Sequence, residues 1–91
     1  MEKIYIVLQE SNVDGAIIIN ATPCATLKAA RKVMEDEVKL ILTESYHFSG
    51  YTEEEMNDMF EVEKDPDSFY INDPSDDYYE VLNIHEKELV K

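Results

Sequence analysis

The chain opens on an alternation. Ile4, Ile6 and Leu8 alternate with Lys3, Tyr5, Val7 and Gln9, the period of two that marks a strand over residues 3–9. Tyr5 and Val7 make its second face apolar too, which predicts a central place in a sheet. Ser11-Asn12-Val13-Asp14-Gly15 follows, and Asp-Gly supplies the left-handed backbone of a tight hairpin. Residues 16–21, with Ile17, Ile18 and Ile19 in succession, form a second β run. Strands one and two are therefore expected to pair as an antiparallel hairpin.

After Thr22-Pro23 the period lengthens. Leu27, Ala30, Met34, Val38 and Ile41 recur at three- and four-residue steps, and Val33 and Leu42 widen the stripe, as in a helix with one face in the core. Two starts are open: Thr22 as N-cap with Pro23 in the first helical position, or Thr26 as N-cap after a Pro23-Cys24-Ala25 loop. Glu35 and Lys39 are spaced as an i,i+4 ion pair on the wet side, and the helix is expected to end near residues 43–45. Residues 45–50 form a loop with Tyr46, His47 and Phe48. A short second helix then carries clear signals. Thr52 and Glu55 are spaced as a capping box, with Tyr51 and Met56 at the hydrophobic-staple positions. Met56, Met59 and Phe60 give it one apolar edge, and it is expected to end by Glu61.

Asp65-Pro66-Asp67-Ser68 and residues 72–77 read as turns, with a short strand at Phe69-Tyr70-Ile71 between them. Tyr78 to Leu89 reads as the last strand, with Tyr78, Leu82 and Ile84 on one face and Glu80 as a polar exception. The expected order is β-β-α-α-β-β: an α+β fold with about four antiparallel strands and one main helix on one face. Ninety-one residues fit one domain, 1–91.

Charge changes the picture. The chain carries −13 overall. Residues 1–52 carry −2, residues 53–80 carry −11 with Lys64 as their one base, and residues 81–91 are neutral. A charge of this size repels nucleic acid and anionic membrane and favours basic partners; magnitudes of about 2–8 already suffice for solubility. The acids of 53–80 lie among turn prolines, tyrosines and a well-capped helix, a setting that predicts a folded surface. Carboxylates on such a surface can occupy the Lys/Arg groove that a nucleic-acid-binding protein offers its ligand. Glu53, Glu54, Asp58, Glu61, Glu63, Asp65, Asp67, Asp73, Asp76, Asp77 and Glu80 would supply the charge. Tyr70, Tyr78 and Tyr79 would supply the amphipathic contacts favoured at interfaces.

Other chemistry is thin. Cys24 is the only cysteine, so no disulfide forms within the chain. With no signal-peptide pattern and no long apolar run, this points to a reducing cytoplasm. A Thr22-capped helix would put Cys24 in its first turn, where a thiol is activated, but no base is placed for it by sequence. His47, His85 and Cys24 match no zinc spacing. Asp65-Pro66-Asp67-Ser68-Phe69 puts Phe69 where a calcium loop needs its third ligand. Gly15 and Gly50 are the only glycines, which excludes a glycine-rich phosphate loop. No catalytic residue, cofactor site or metal site is expected, and the chain is read as a non-enzyme that binds neither nucleic acid nor membrane directly.

The segments Lys3-Ile4-Tyr5-Ile6-Val7, Thr26-Leu27-Lys28-Ala29-Ala30 and Tyr78-Tyr79-Glu80-Val81-Leu82-Asn83-Ile84-His85-Glu86 resemble those of small uncharacterised α+β proteins of phages and mobile elements. By charge alone the chain is similar to acidic phage inhibitors of the anti-CRISPR and anti-restriction type. The −11 segment and the lack of a catalytic constellation lead to the expectation of a non-enzymatic protein of the host cytoplasm that blocks a host nucleic-acid-binding protein, for example a CRISPR effector, by nucleic-acid mimicry through residues 53–80; the resemblance itself assigns no residue a role. The alternative is a structural or assembly module that self-associates through its sheet as a homodimer, its acids serving only solubility.

Overall fold

The computed structural model describes residues 2–45 and 47–88. Tyr46 and the expected strand end at Leu89 lie outside the described residues. The elements are β1 (Lys3–Val13), β2 (Ala16–Cys24), α1 (Leu27–Glu44), α2 (Glu53–Met59), β3 (Glu61–Asp65), β4 (Ser68–Asp73) and β5 (Tyr78–Glu88). The strands form one antiparallel sheet in the order β2-β1-β5-β4-β3. The fold is α+β, with five strands where about four were expected. The extra strand is β3, whose sequence Glu61-Val62-Glu63-Lys64-Asp65 has a single apolar residue. A half-exposed edge strand carries little alternation to read, so its existence is decided by pairing with β4.

The β1–β2 hairpin closes through Asp14 and Gly15, both at positive φ (53° and 87°). This is the two-residue geometry whose twist matches the strands, and Asn12 Oδ1 accepts from the Gly15 amide at 3.0 Å. Both strands run further than alternation predicted, because long pairing with β5 and β1 carries them through polar residues. Pro23 lies inside β2, where an edge strand tolerates it. Thr26 is the N-cap of α1, its hydroxyl accepting from the Ala29 amide at 3.0 Å. The alternative start at Thr22 is thereby excluded, and Cys24 sits at the end of a strand rather than at a helix N-terminus. On α1 the ion pair formed is Lys32–Asp36 at 2.9 Å, and not Glu35–Lys39. Among the described residues no helix is long and apolar enough to cross a membrane.

Register assigns the faces. Val7, Leu82, Phe69 and Ile71 fall on one side of the sheet, and Ala30, Met34 and Ile41 of α1 close over them with Met56, Phe60 and Phe48. Phe48, Ile71 and Leu82 are the largest fully buried side chains, each stabilising by about 1.5–3 kcal/mol through burial. Neither helix covers the other side. That open face carries Ile4, Ile6 and Leu8 of β1, Ile17, Ile19 and Ala21 of β2, and Tyr79 and Val81 of β5, then turns acidic at Glu61, Glu63 and Asp65 of β3. The sheet thus has one apolar edge, β2, and one charged edge, β3.

Candidate functional site

α2, β3 and the turn between β4 and β5 build an acidic flank. The capping box of α2 forms in full: Thr52 Oγ1 accepts from the Glu55 amide at 3.2 Å, and Glu55 Oε1 accepts from the Thr52 amide at 3.0 Å. These bonds hold the Glu55 carboxyl below its ordinary range. Glu55 is therefore occupied, while Glu53, Glu54 and Asp58 stay exposed on the same short helix. Phe60 then turns the chain inward, and β3 begins at the next residue. Its Glu61, Glu63 and Asp65 face the open side of the sheet opposite Asn72, Tyr70 and Ser68. Alternate strand residues repeat every ~6.8 Å. Asp76 and Asp77, exposed in the β4–β5 turn, lie at the Glu61 end of the strand.

Eight of the acids named from sequence are thus exposed on this flank: Glu53, Glu54, Asp58, Glu61, Glu63, Asp65, Asp76 and Asp77. The other three have side-chain partners, and of them Asp67 is exposed as well. Asp67 takes an ion pair from Arg31 at 2.7 Å, tying the β3–β4 turn to α1. Glu80 explains the polar exception on the core face of β5, because its carboxylate accepts from Ser11 Oγ and from Gln9 Nε2 of neighbouring β1. Asp73 is 8% exposed and accepts from His47 Nε2 at 2.7 Å and from the Ser75 amide and hydroxyl at 3.0 and 2.8 Å. Burial alone would raise the Asp73 carboxyl, but the bonds from His47 and Ser75 outweigh it and hold the group below its ordinary value.

The tyrosines divide in the same way. Tyr70 stands on the open face beside Glu61 and Glu63; burial first, then those carboxylates, push its phenol above the ordinary range. Tyr79 also lies on that face and donates to Glu10, which raises its phenol. Tyr78 points to the core side, stacked on His47 with ring centroids 3.9 Å apart and planes within 2°.

No family model matches the chain, and no curated protein or solved structure matches it.

His47 was the residue whose role sequence reasoning missed. It sits in an aromatic knot with Tyr78 and with Phe48, whose centroid is 4.9 Å away, while Phe48 packs edge-on against Phe60 at 5.1 Å. The bond to Asp73 pins the loop between α1 and α2 to the end of β4, and so fixes α2 beside β3. A histidine among aromatics followed at a distance by Asp-Pro-Ser was the available signal, but the 26-residue separation hid the pairing. His47, Asp73 and Asp76 bring ligand-type atoms within 4.8 Å of one another. Asp73 takes His47 on one oxygen and Ser75 on the other, and through these bonds it pins the loop to the end of β4. Cys24, on the core side of β2, and His85, exposed on the open face, are not brought together with His47.

Proposed function

We propose that this chain is a non-enzymatic binding protein whose acidic flank occupies the basic groove of a nucleic-acid-binding protein and competes with its nucleic acid. The observation that supports this reading is that exposed carboxylates gather on consecutive elements of one hydrogen-bonded frame, Glu61, Glu63 and Asp65 on the open face of β3 and Glu53, Glu54 and Asp58 on α2 at its helix side. Glu61, Glu63 and Asp65 place one charge per ~6.8 Å along a strand, about half the axial charge density of one DNA strand at one phosphate per ~3.4 Å. Glu53, Glu54 and Asp58 add charge from the adjoining helix. Carboxylates also accept the paired N–H groups of arginine as phosphates do. Because the array is held by the α2 capping box and the His47–Asp73 pin, little ordering entropy opposes binding.

The test is capture on the tagged protein from nuclease-treated lysate, with elution by rising salt. The comparison bait has Glu53, Glu54, Asp58, Glu61, Glu63, Asp65, Asp76 and Asp77 changed to the matching amides. The expected result is a nucleic-acid-binding protein that elutes with salt, is displaced by added DNA or RNA, and is absent from the amide bait. Equal capture by both baits would refute the reading.

A further inference from the structure

β2 is unlike the rest of the molecule. It is nine residues long, Ala16–Cys24, and none of them is charged, in a chain that is 32% charged. It is an outer strand of the sheet, and Ile17, Ile18 and Ile19 are 60%, 51% and 65% exposed. Outer strands are ordinarily shielded by lysine, inward charge, proline or a bulge, because their free N–H and C=O groups template pairing. The β3 edge has such shielding in Glu61, Glu63, Lys64 and Asp65. β2 has only Pro23, near its end.

The hairpin determines which backbone groups are free. A two-residue turn closes on a hydrogen-bonded pair, here Val13 and Ala16, and hydrogen-bonded pairs then alternate along the ladder. Ile18, Asn20 and Thr22 therefore bond to β1, and the N–H and C=O of Ile17, Ile19 and Ala21 point away from it. Both the free backbone groups and the exposed isoleucines fall on the same edge.

We propose that this edge pairs with the β2 strand of a second copy, antiparallel about a two-fold axis, to make one ten-stranded sheet. Charge selects this occupant. A protein of net charge −13 associates with itself most readily where charge is sparse, and β2 itself carries none, with Asp14 in its hairpin turn and Glu37 of α1 as acids beside it. The two acidic β3 edges would then lie at opposite ends, nine strand spacings or ~43 Å apart, several screening lengths at physiological salt. Two-fold pairing matches outward residues with outward residues, so Ile17, Ile19 and Ala21 of one copy meet the same set in the other. On the helix side, Val33 and Glu37 of α1 flank a groove of about 260 Å³ beside Asn20 and Thr22. Pairing at β2 closes the assembly at two copies, since the remaining edges repel. This inference is independent of the mimicry reading.

The experiment is sedimentation of the full chain at micromolar concentration, in low salt and in about 1 M salt, where the screening length is ~3 Å. It is paired with amide exchange by NMR. The expected species has twice the monomer mass in both salts. The amides of Ile17, Ile19 and Ala21 exchange as slowly as those of Ile18 and Asn20. Ile17→Lys with Ile19→Lys should weaken association at least ~100-fold and release the Ile17, Ile19 and Ala21 amides alone, with unchanged circular dichroism. Val81→Lys, at the centre of the open face, should leave the dimer intact. A monomer at all concentrations, a dimer that dissolves in salt, or one that survives the double lysine variant but not Val81→Lys would each overturn the proposal.

Discussion

Asp73→Ala should be among the most damaging substitutions in this chain outside its apolar core. The carboxylate receives three hydrogen bonds while only 8% exposed. The two from Ser75 come from neutral donors, each contributing about 1 kcal/mol, and a charged hydrogen bond of the His47 kind contributes about 1.5–3 kcal/mol. Loss of all three, with His47 left facing a gap, gives a cost of about 3.5–5 kcal/mol. For a domain of this length each kcal/mol moves Tm by about 4–8 °C, so a drop of about 14–40 °C is expected by calorimetry at neutral pH. The pH dependence has a definite sign. The folded carboxyl lies below its unfolded value, so its contribution is fully present above the unfolded pKa of about 3.9. It is lost as pH falls through the lower, folded value. The gap between wild type and Asp73→Ala should therefore hold constant near neutrality and close only in acid. A cycle with His47→Ala should give a coupling of about 1.5–3 kcal/mol. A cost under about 1 kcal/mol, or additive single variants, would show that the pin does not hold the loop.

Two smaller perturbations test the flank. Added salt should raise Tm, because Glu61, Glu63 and Asp65 repel along one face and screening relieves them; Glu61→Gln with Glu63→Gln should raise it in low salt and remove part of the salt response. A Tm that falls with salt would mean the exposed carboxylates are paired in the folded state. Thr52→Ala removes an N-cap with its reciprocal partner in place and should cost about 1 kcal/mol in urea unfolding, whereas Thr52→Ser should be close to neutral.

Sequence reading succeeded where the signal is local. The Asp14-Gly15 hairpin, the α1 stripe through Ala30, Met34 and Ile41, and the Thr52–Glu55 box each follow from residues within a few positions of one another. It failed where the cause is distant. β3 exists because Val62 pairs with Ile71, and its own five residues scarcely alternate. Glu80 is polar on a core face because Ser11 and Gln9 lie across the ladder. Asp67 and Asp73 were grouped with the other acids of 53–80 because sequence gives charge without giving partners, and Arg31 and His47 are far away along the chain.

The sheet order adds what charge counting could not. Residues 16–24 and 61–65 are separated along the chain by α1 and α2, and nothing in either segment says how far apart they lie in space. The order β2-β1-β5-β4-β3 puts the uncharged segment and the acidic one on opposite edges of the same sheet. A chain with both features adjacent would carry its self-repulsion into any self-contact made through its isoleucines. With the two at opposite edges, the apolar strand would be free to pair while the carboxylates would keep their field toward the basic partner proposed above. The acidic flank and the isoleucine edge are therefore compatible on one small sheet, and two copies joined at β2 would present two such flanks facing outward. Binding to a partner with two basic grooves would then gain from linkage at an effective concentration set by the rigid sheet. The Ile17→Lys, Ile19→Lys variant would lose that gain while keeping every carboxylate of the flank.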